Sequence, residues 1–120
     1  MELEFNLNSL YICVNNMDRA VDFYKRLLNI NPDTYDQVFS IFNINGFRFC
    51  LFNNEKVNEK KSWGNNCLPS FNVNDMNKLM EKLNKLNSKI VFPLTKINDS
   101  YVLEFEDSEG NHIEAYSKIF

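Results

Sequence analysis

A chain of 120 residues, 44% hydrophobic and 24% charged, has ordinary globular proportions and the length of one domain, enough to bury roughly two thirds of the surface its unfolded form exposes. Its formal charge of −3 and sequence pI near 5.1 exclude a general electrostatic pull toward nucleic acid or an anionic membrane, and mildly favour a cationic ligand. The acidic opening Met1-Glu2-Leu3-Glu4-Phe5 is unlike a secretory signal, no stretch approaches the ~20 apolar residues that span a bilayer, and Cys13, Cys50 and Cys67 are too scattered for a disulfide framework.

The expected location is therefore the cytoplasm. Eleven Phe and five Tyr supply large apolar area for a core.

In chain order, Leu10, Ile12 and Val14 alternate as in a half-buried strand. Met17, Ala20, Val21, Tyr24, Leu27 and Leu28 then follow helical spacing, with Asn16 just ahead, where its side-chain oxygen can accept from a first-turn N–H. Residues 31–35 read as a further strand. Val38 to Ile44 and Phe47 to Phe52 read as a hairpin closed by Asn45-Gly46, two residues that tolerate positive φ. A polar stretch of Asn, Lys and Glu, about residues 54–66, reads as a linker.

The order then starts again. Pro69, Phe71 and Val73 precede Asp75 and a helical run of Met76, Leu79, Met80, Leu83 and Leu86. Lys89 to Ile97 reads as a strand, and Tyr101 to Glu106 with His112 to Ser117 as a hairpin around Asp107-Ser108-Glu109-Gly110-Asn111. Val14-Asn15-Asn16-Met17-Asp18-Arg19 recurs as Val73-Asn74-Asp75-Met76-Asn77-Lys78, an offset of 59 residues (14 to 73). Downstream at that offset Asp22 meets Glu81, Arg26 meets Lys85 and Leu27 meets Leu86. One domain of two βαβββ modules results: the first at about 7–53, the second at about 67–118.

These features resemble the vicinal oxygen chelate superfamily, which includes glyoxalase I, fosfomycin-resistance enzymes, extradiol dioxygenases and bleomycin-binding proteins. The resemblance is carried by Val14 to Tyr24 with its Phe23-Tyr24 pair and the Leu27-Leu28 end, by Phe71 to Met76, and above all by Phe105 to Glu114. It implies an α+β fold in which two βαβββ modules form a cup-shaped mixed sheet with the helices outside, paired within one chain or swapped between two. It also implies four metal-ligand positions, which fall at Ser9, Cys50, Leu68 and Glu114. Only Glu114 is a usual ligand type, and Leu68 can donate nothing, so no metal or other cofactor is expected.

Strand alternation then assigns what the cup presents. With Ser9 face Tyr11 and Cys13; on the other strands Arg48, Cys50 and Phe52, Leu68, Ser70 and Asn72, Val102 and Glu104, and His112, Glu114 and Tyr116 share that face. The candidate ligand-binding set is Ser9, Tyr11, Arg48, Cys50, Leu68, Asn72, Glu104, His112, Glu114 and Tyr116. Glu114 either binds a ligand through its charge or pairs with Arg48. His112, on the same face, is either an acid or base near neutral pH or an inert histidine beside a turn. Cys50 is a thiol activated by Arg48 or a small buried hydrophobe. Tyr11 and Tyr116 clamp a planar ligand or complete the core. Trp63 covers the cup or anchors its own loop.

Three functions compete. The leading one is a metal-free protein that sequesters a small molecule, a cationic one being mildly favoured, in one cup or at a dimer groove, as a homodimer and without nucleic-acid or membrane partners. The second is a glyoxalase-like lyase or isomerase acting on a thiol conjugate or an α-hydroxy carbonyl compound. The third is a partner-binding module whose cup is filled by its own side chains.

Overall fold

The computed structural model describes residues 3–4, 9–57 and 68–118. Module one runs β1 (Ser9–Cys13), α1 (Met17–Leu28), β2 (Phe39–Ile44) and β3 (Phe47–Phe52), followed by a 3-10 turn at Asn54–Val57. Module two runs β4 (Ser70–Asn72), α2 (Met76–Lys85), β5 (Ile90–Ile97), β6 (Ser100–Glu106) and β7 (His112–Lys118). The result is an α+β fold with a three-stranded sheet, order β1-β3-β2, and a four-stranded sheet, order β4-β7-β6-β5. Each module's first strand runs parallel to its last, and the hairpins are antiparallel.

Local chemistry sets the boundaries. Asn16 and Asp75 are the N-caps, both extended, and their side chains accept from the backbone N–H of Arg19 and Lys78. Asn45 and Gly46 both take positive φ, 51° and 91°, as a two-residue hairpin turn requires. Pro93 lies in β5, an edge strand with register shifts, where a missing N–H is tolerated. One expectation needs correcting: residues 31–35 form no strand, and only Thr34 bridges to Ile41. Just beyond this segment Asp36 turns its side chain onto the N–H groups of Val38 and Phe39, which competes with sheet pairing.

The helix-facing sides of both sheets converge on one core. Tyr24, Phe42, Phe49, Phe105, Met17, Leu51, Leu83, Leu103 and Ile113 are its largest fully buried side chains. Each fully buried Phe or Leu stabilises the fold by about 1.5–3 kcal/mol relative to exposure. Phe49 of module one meets Phe71 of module two edge to face, centroids 5.5 Å apart. Lys82 Nζ of α2 donates to the Leu27 carbonyl at the end of α1.

A polar seam completes the junction. Oδ2 of buried Asp107 accepts from the Tyr24 hydroxyl at 2.7 Å. Glu109 accepts from the N–H groups of Asn15 and Asn16 and from Arg19 Nε at 2.6 Å. Asn111 Nδ2 donates to the Cys13 carbonyl. The turn between β6 and β7 is thereby bolted to the β1–α1 junction, and the opposite faces of the sheets lie outside the shared core.

Candidate functional site

Those open faces carry the candidate residues, and register decides which of them meet. On module one Ser9 is level with Arg48, Tyr11 with Cys50 and Cys13 with Phe52. On module two Ser70 and Glu104 flank Glu114, Asn72 and Val102 flank Tyr116, and Glu106 faces His112. On module two the residues one out of phase with these, Leu103, Phe105, Ile113 and Ala115, are buried, as a period of two requires, whereas on β3 Phe49, Cys50 and Leu51 are all buried.

Module two presents an acidic face. Glu104 and Glu114 are directly opposed cross-strand partners, an arrangement of like charges that destabilises a sheet. Ser70 Oγ donates to Glu114 Oε1 at 3.0 Å. His112 Nδ1 lies 3.4 Å from Glu104 Oε1, close enough for an ion pair when the imidazole is protonated, but without hydrogen-bond geometry: that oxygen is shielded from water and has no hydrogen-bond donor. Two expected relationships therefore change. The Arg48–Glu114 pair does not form, because the residues belong to separate sheets and Glu114 takes Ser70. The imidazole is drawn to Glu104 across the strands rather than to Glu114 along its own.

Module one presents an aromatic face. Tyr11, 56% exposed, makes edge-to-face contacts with Phe39 and Phe52. Cys50 is fully buried; burial pushes its thiol above the ordinary value, and Arg48 offsets this only in part. That favours the small hydrophobe over the activated nucleophile. Arg48 and Ser9 are half-buried, Asn72 is exposed, and Leu68 is half-buried just ahead of β4. Trp63 and Cys67 lie outside the described residues.

Phe39 was not anticipated, although counting outward from the Asn45-Gly46 turn pairs it with Phe52. Ser70, placed on the right face by alternation, acquires a role only through its bond to Glu114.

The four positions implied for a metal do not suit one. The Leu68 side chain offers no donor atom and the Ser9 hydroxyl is a weak ligand, and no group of three His, Cys, Asp or Glu gathers among the described residues. No described helix is long and apolar enough to cross a membrane.

Comparison with known proteins places this geometry. The family model for the Glyoxalase/Bleomycin resistance protein/Dioxygenase superfamily matches residues 6–115. Among solved structures, lactoylglutathione lyase from Agrobacterium tumefaciens superposes with a TM-score of 0.74 at 14% identity, covering 97% of this chain and 96% of that one. The fosfomycin resistance protein FosX from Mesorhizobium loti gives 0.73 at 15%, covering 98% and 96%. The hypothetical protein SA1046 from S. aureus gives 0.77 at 18%, covering 95% and 94%. Likeness at these identities speaks for the fold alone. No match was found among curated proteins.

Proposed function

The chain belongs to the Glyoxalase/Bleomycin resistance protein/Dioxygenase superfamily, and from that premise we propose that it is a metal-free small-molecule binding protein that holds a cationic ligand against its open sheet faces. The observation that carries this reading is the Glu104–Glu114 pair: two carboxylates set opposite each other, one with an oxygen shielded from water and lacking a donor. An unpaired buried acceptor and a like-charge pair both weaken the fold. A ligand ammonium or guanidinium donating to the other oxygens of the pair would offset the like-charge penalty. Asn72 and Tyr116, level with each other one step along the same face, would supply neutral contacts.

A homodimer belongs to this reading. The open faces lie outside the core that joins the modules, and Tyr11 and Phe92 on them are exposed, leaving apolar surface for a second copy to cover and a ligand to be enclosed between them.

A second reading, a glyoxalase-like lyase or isomerase, is favoured by the Glu104–His112 contact, since a carboxylate beside an imidazole can orient it as a proton acceptor. It leaves unanswered what would stabilise the negative charge formed when a carbon acid loses its proton.

The test is a thermal-shift screen over cationic, neutral and anionic small molecules, repeated on Glu104→Gln and Glu114→Gln. A tight ligand raises the melting temperature in proportion to the logarithm of its excess over Kd. Hits confined to cations and weakened by about 1–3 kcal/mol in either variant would support the proposal; hits confined to anions would overturn it. Turnover of a thiol conjugate by the wild type would favour the second reading.

A further inference from the structure

The internal repeat gives the fold two junctions between a hairpin turn and the start of a helix, and the two are finished differently. Their backbones match. Val14 N–H donates to the Phe52 carbonyl in module one as Val73 N–H does to the Tyr116 carbonyl in module two. Asn16 and Asp75 cap their helices in the same extended conformation, each side chain accepting from the backbone N–H three residues on. Ala20 N–H donates to Asn16 O and Leu79 N–H to Asp75 O. Residues 14–20 are thus repeated by 73–79, with Asn74 and Asp75 in the places of Asn15 and Asn16, and Lys78 in that of Arg19.

At the first junction those two N–H groups hold a carboxylate. Glu109 Oε1 accepts from Asn15 and Asn16, both at 2.9 Å, and Oε2 accepts from Arg19 Nε. Successive N–H groups turned toward one point form a seat for an anion, and their bonds to an ionised carboxylate are roughly twice as strong as neutral ones. The second junction has no such acid in its turn. Ile44 and Phe47 close the β2–β3 hairpin as Asp107 and Asn111 close the β6–β7 hairpin. Between them lie Asn45-Gly46 in the first case and Ser108-Glu109-Gly110 in the second, so the module-one turn is one residue shorter and carries no carboxylate. Leu83 also takes the place of Tyr24, 59 residues on (24 to 83), so hydrocarbon side chains, Leu83 and Ile44, stand where Tyr24 and Asp107 are bonded.

A cleft of about 350 Å3 opens at this second junction, walled by Ile44, Leu27, Leu79, Phe71 and Phe105 and bordered by Asn74, a volume within the range of small-molecule sites. Among the described residues no carboxylate reaches the N–H groups of Asn74 and Asp75. Lys78 is exposed, and Lys82 Nζ donates to the carbonyl of Leu27 in the cleft wall, so the nearby charge is positive. The occupant of the first junction indicates what suits the second: a carboxylate at the donors with an apolar body behind it. An inorganic anion would use the donors but leave the hydrocarbon walls to water, and an amine would meet donors with its own donors.

We propose that this cleft binds a small monocarboxylic acid of the aryl- or alkylacetic class, its carboxylate accepting from Asn74 and Asp75 beside Lys78 and its apolar body against Ile44, Leu27 and Leu79. Because Phe105 and Ala115, buried on the helix side of their sheet, line it, the cleft is separate from the open sheet faces. It is a second site that does not rest on the cationic-ligand reading.

Phenylacetate is titrated into isotope-labelled protein and followed by amide resonances, with phenylacetamide as the neutral isostere and acetate as the head group alone. Phenylacetate is expected to bind saturably and to move the Asn74 and Asp75 amide protons downfield, as bonding to a carboxylate does. Its ring should give nuclear Overhauser contacts to the methyl groups of Leu27, Ile44 and Leu79. Phenylacetamide should bind roughly tenfold more weakly, and acetate more weakly than phenylacetate because it leaves the walls uncovered. Ile44→Trp, which fills the cleft from the hairpin end, should abolish binding, and Lys78→Gln should weaken it about two- to fivefold. If Ile44→Trp does not fold, Lys78→Gln and the isostere comparison still decide. Equal affinity for acid and amide, unmoved Asn74 and Asp75 amides, ring contacts to the open faces, or no saturable binding would each overturn the assignment. A thermal-shift screen in which cations alone bind would remove this inference and leave the cationic-ligand reading standing. Carboxylates that move the Asn74 and Asp75 amides, alongside cations that respond to Glu104→Gln, would support both.

Discussion

The hydroxyl of Tyr24, in the middle of α1, donates at 2.7 Å to Oδ2 of Asp107, which opens the turn between the last two strands 83 positions later. Both residues are buried, so this bond ties module one to module two where water cannot replace it. Asp107 also accepts from the N–H groups of Glu109 and Asn111 and thereby shapes the turn that Glu109 needs to reach the start of α1.

Tyr24→Phe is expected to lower stability by about 1–3 kcal/mol, because Asp107 loses a donor it cannot recover from solvent. Urea unfolding at neutral pH measures this. Binding on the open faces should be unchanged, since both residues lie on the core side.

Asp107 and Glu109 should respond to pH with opposite signs. Burial holds Asp107 above its ordinary value of 3.8, against smaller opposing effects from Tyr24 and Asn111. Its contribution to stability is thus fully present below 3.8 and is lost as pH rises through the raised native value. Burial also pushes Glu109 up, but the bonds from Arg19, Asn16, Asn15 and Ser108 together outweigh it and hold the carboxyl below 4.5. Its contribution is present above 4.5 and is lost as pH falls through the lowered native value. Stability measured by urea from about pH 3 to pH 7 should therefore fall less steeply on the acid side in Glu109→Gln and more steeply in Asp107→Asn. Unchanged slopes in both variants would contradict the assignment.

Because Arg19 is half exposed, its side chain 54% accessible against none for Glu109, the two partners of this ion pair are not equivalent. Arg19→Met should cost about 0.2–1 kcal/mol. Glu109→Gln, which weakens the acceptor of two backbone N–H groups as well, should cost about 1.5–3 kcal/mol at pH 7.

Relieving the opposed carboxylates should show function held against stability. In Glu114→Gln the Ser70 hydroxyl keeps an acceptor, and the like-charge repulsion with Glu104 disappears. Stability is expected to rise by about 0.2–1 kcal/mol while a cationic ligand binds more weakly. A fall in stability instead, shrinking in an Arg48→Met background, would reveal an Arg48–Glu114 pair after all.

Added zinc, nickel or manganese should leave the melting temperature unmoved, because Leu68 and Ser9 stand where donors are needed. A metal-dependent rise that vanishes in Glu114→Gln would overturn this and strengthen the enzyme reading.

The sequence by itself determined what depends on neighbours within one to four positions. The caps at Asn16 and Asp75, the Asn45-Gly46 turn and the two helices follow from bonds within a single turn of chain. The period of two then separates Glu104, His112 and Glu114 from Leu103, Ile113 and Ala115. The internal repeat and the motifs around Phe23-Tyr24 and Asp107 to Asn111 were enough for the family, because they are the parts through which the modules are bolted together. Tertiary structure alone decided what crosses strands and modules. His112 lies against Glu104 because register sets that diagonal, Arg48 fails to reach Glu114 because the modules join through their helix faces, and Tyr11 meets Phe39 and Phe52 because β1 and β2 flank β3. Alternation says which side of a sheet a residue occupies; which residues meet there depends on how sheets are registered and joined, and no local interaction carries that information.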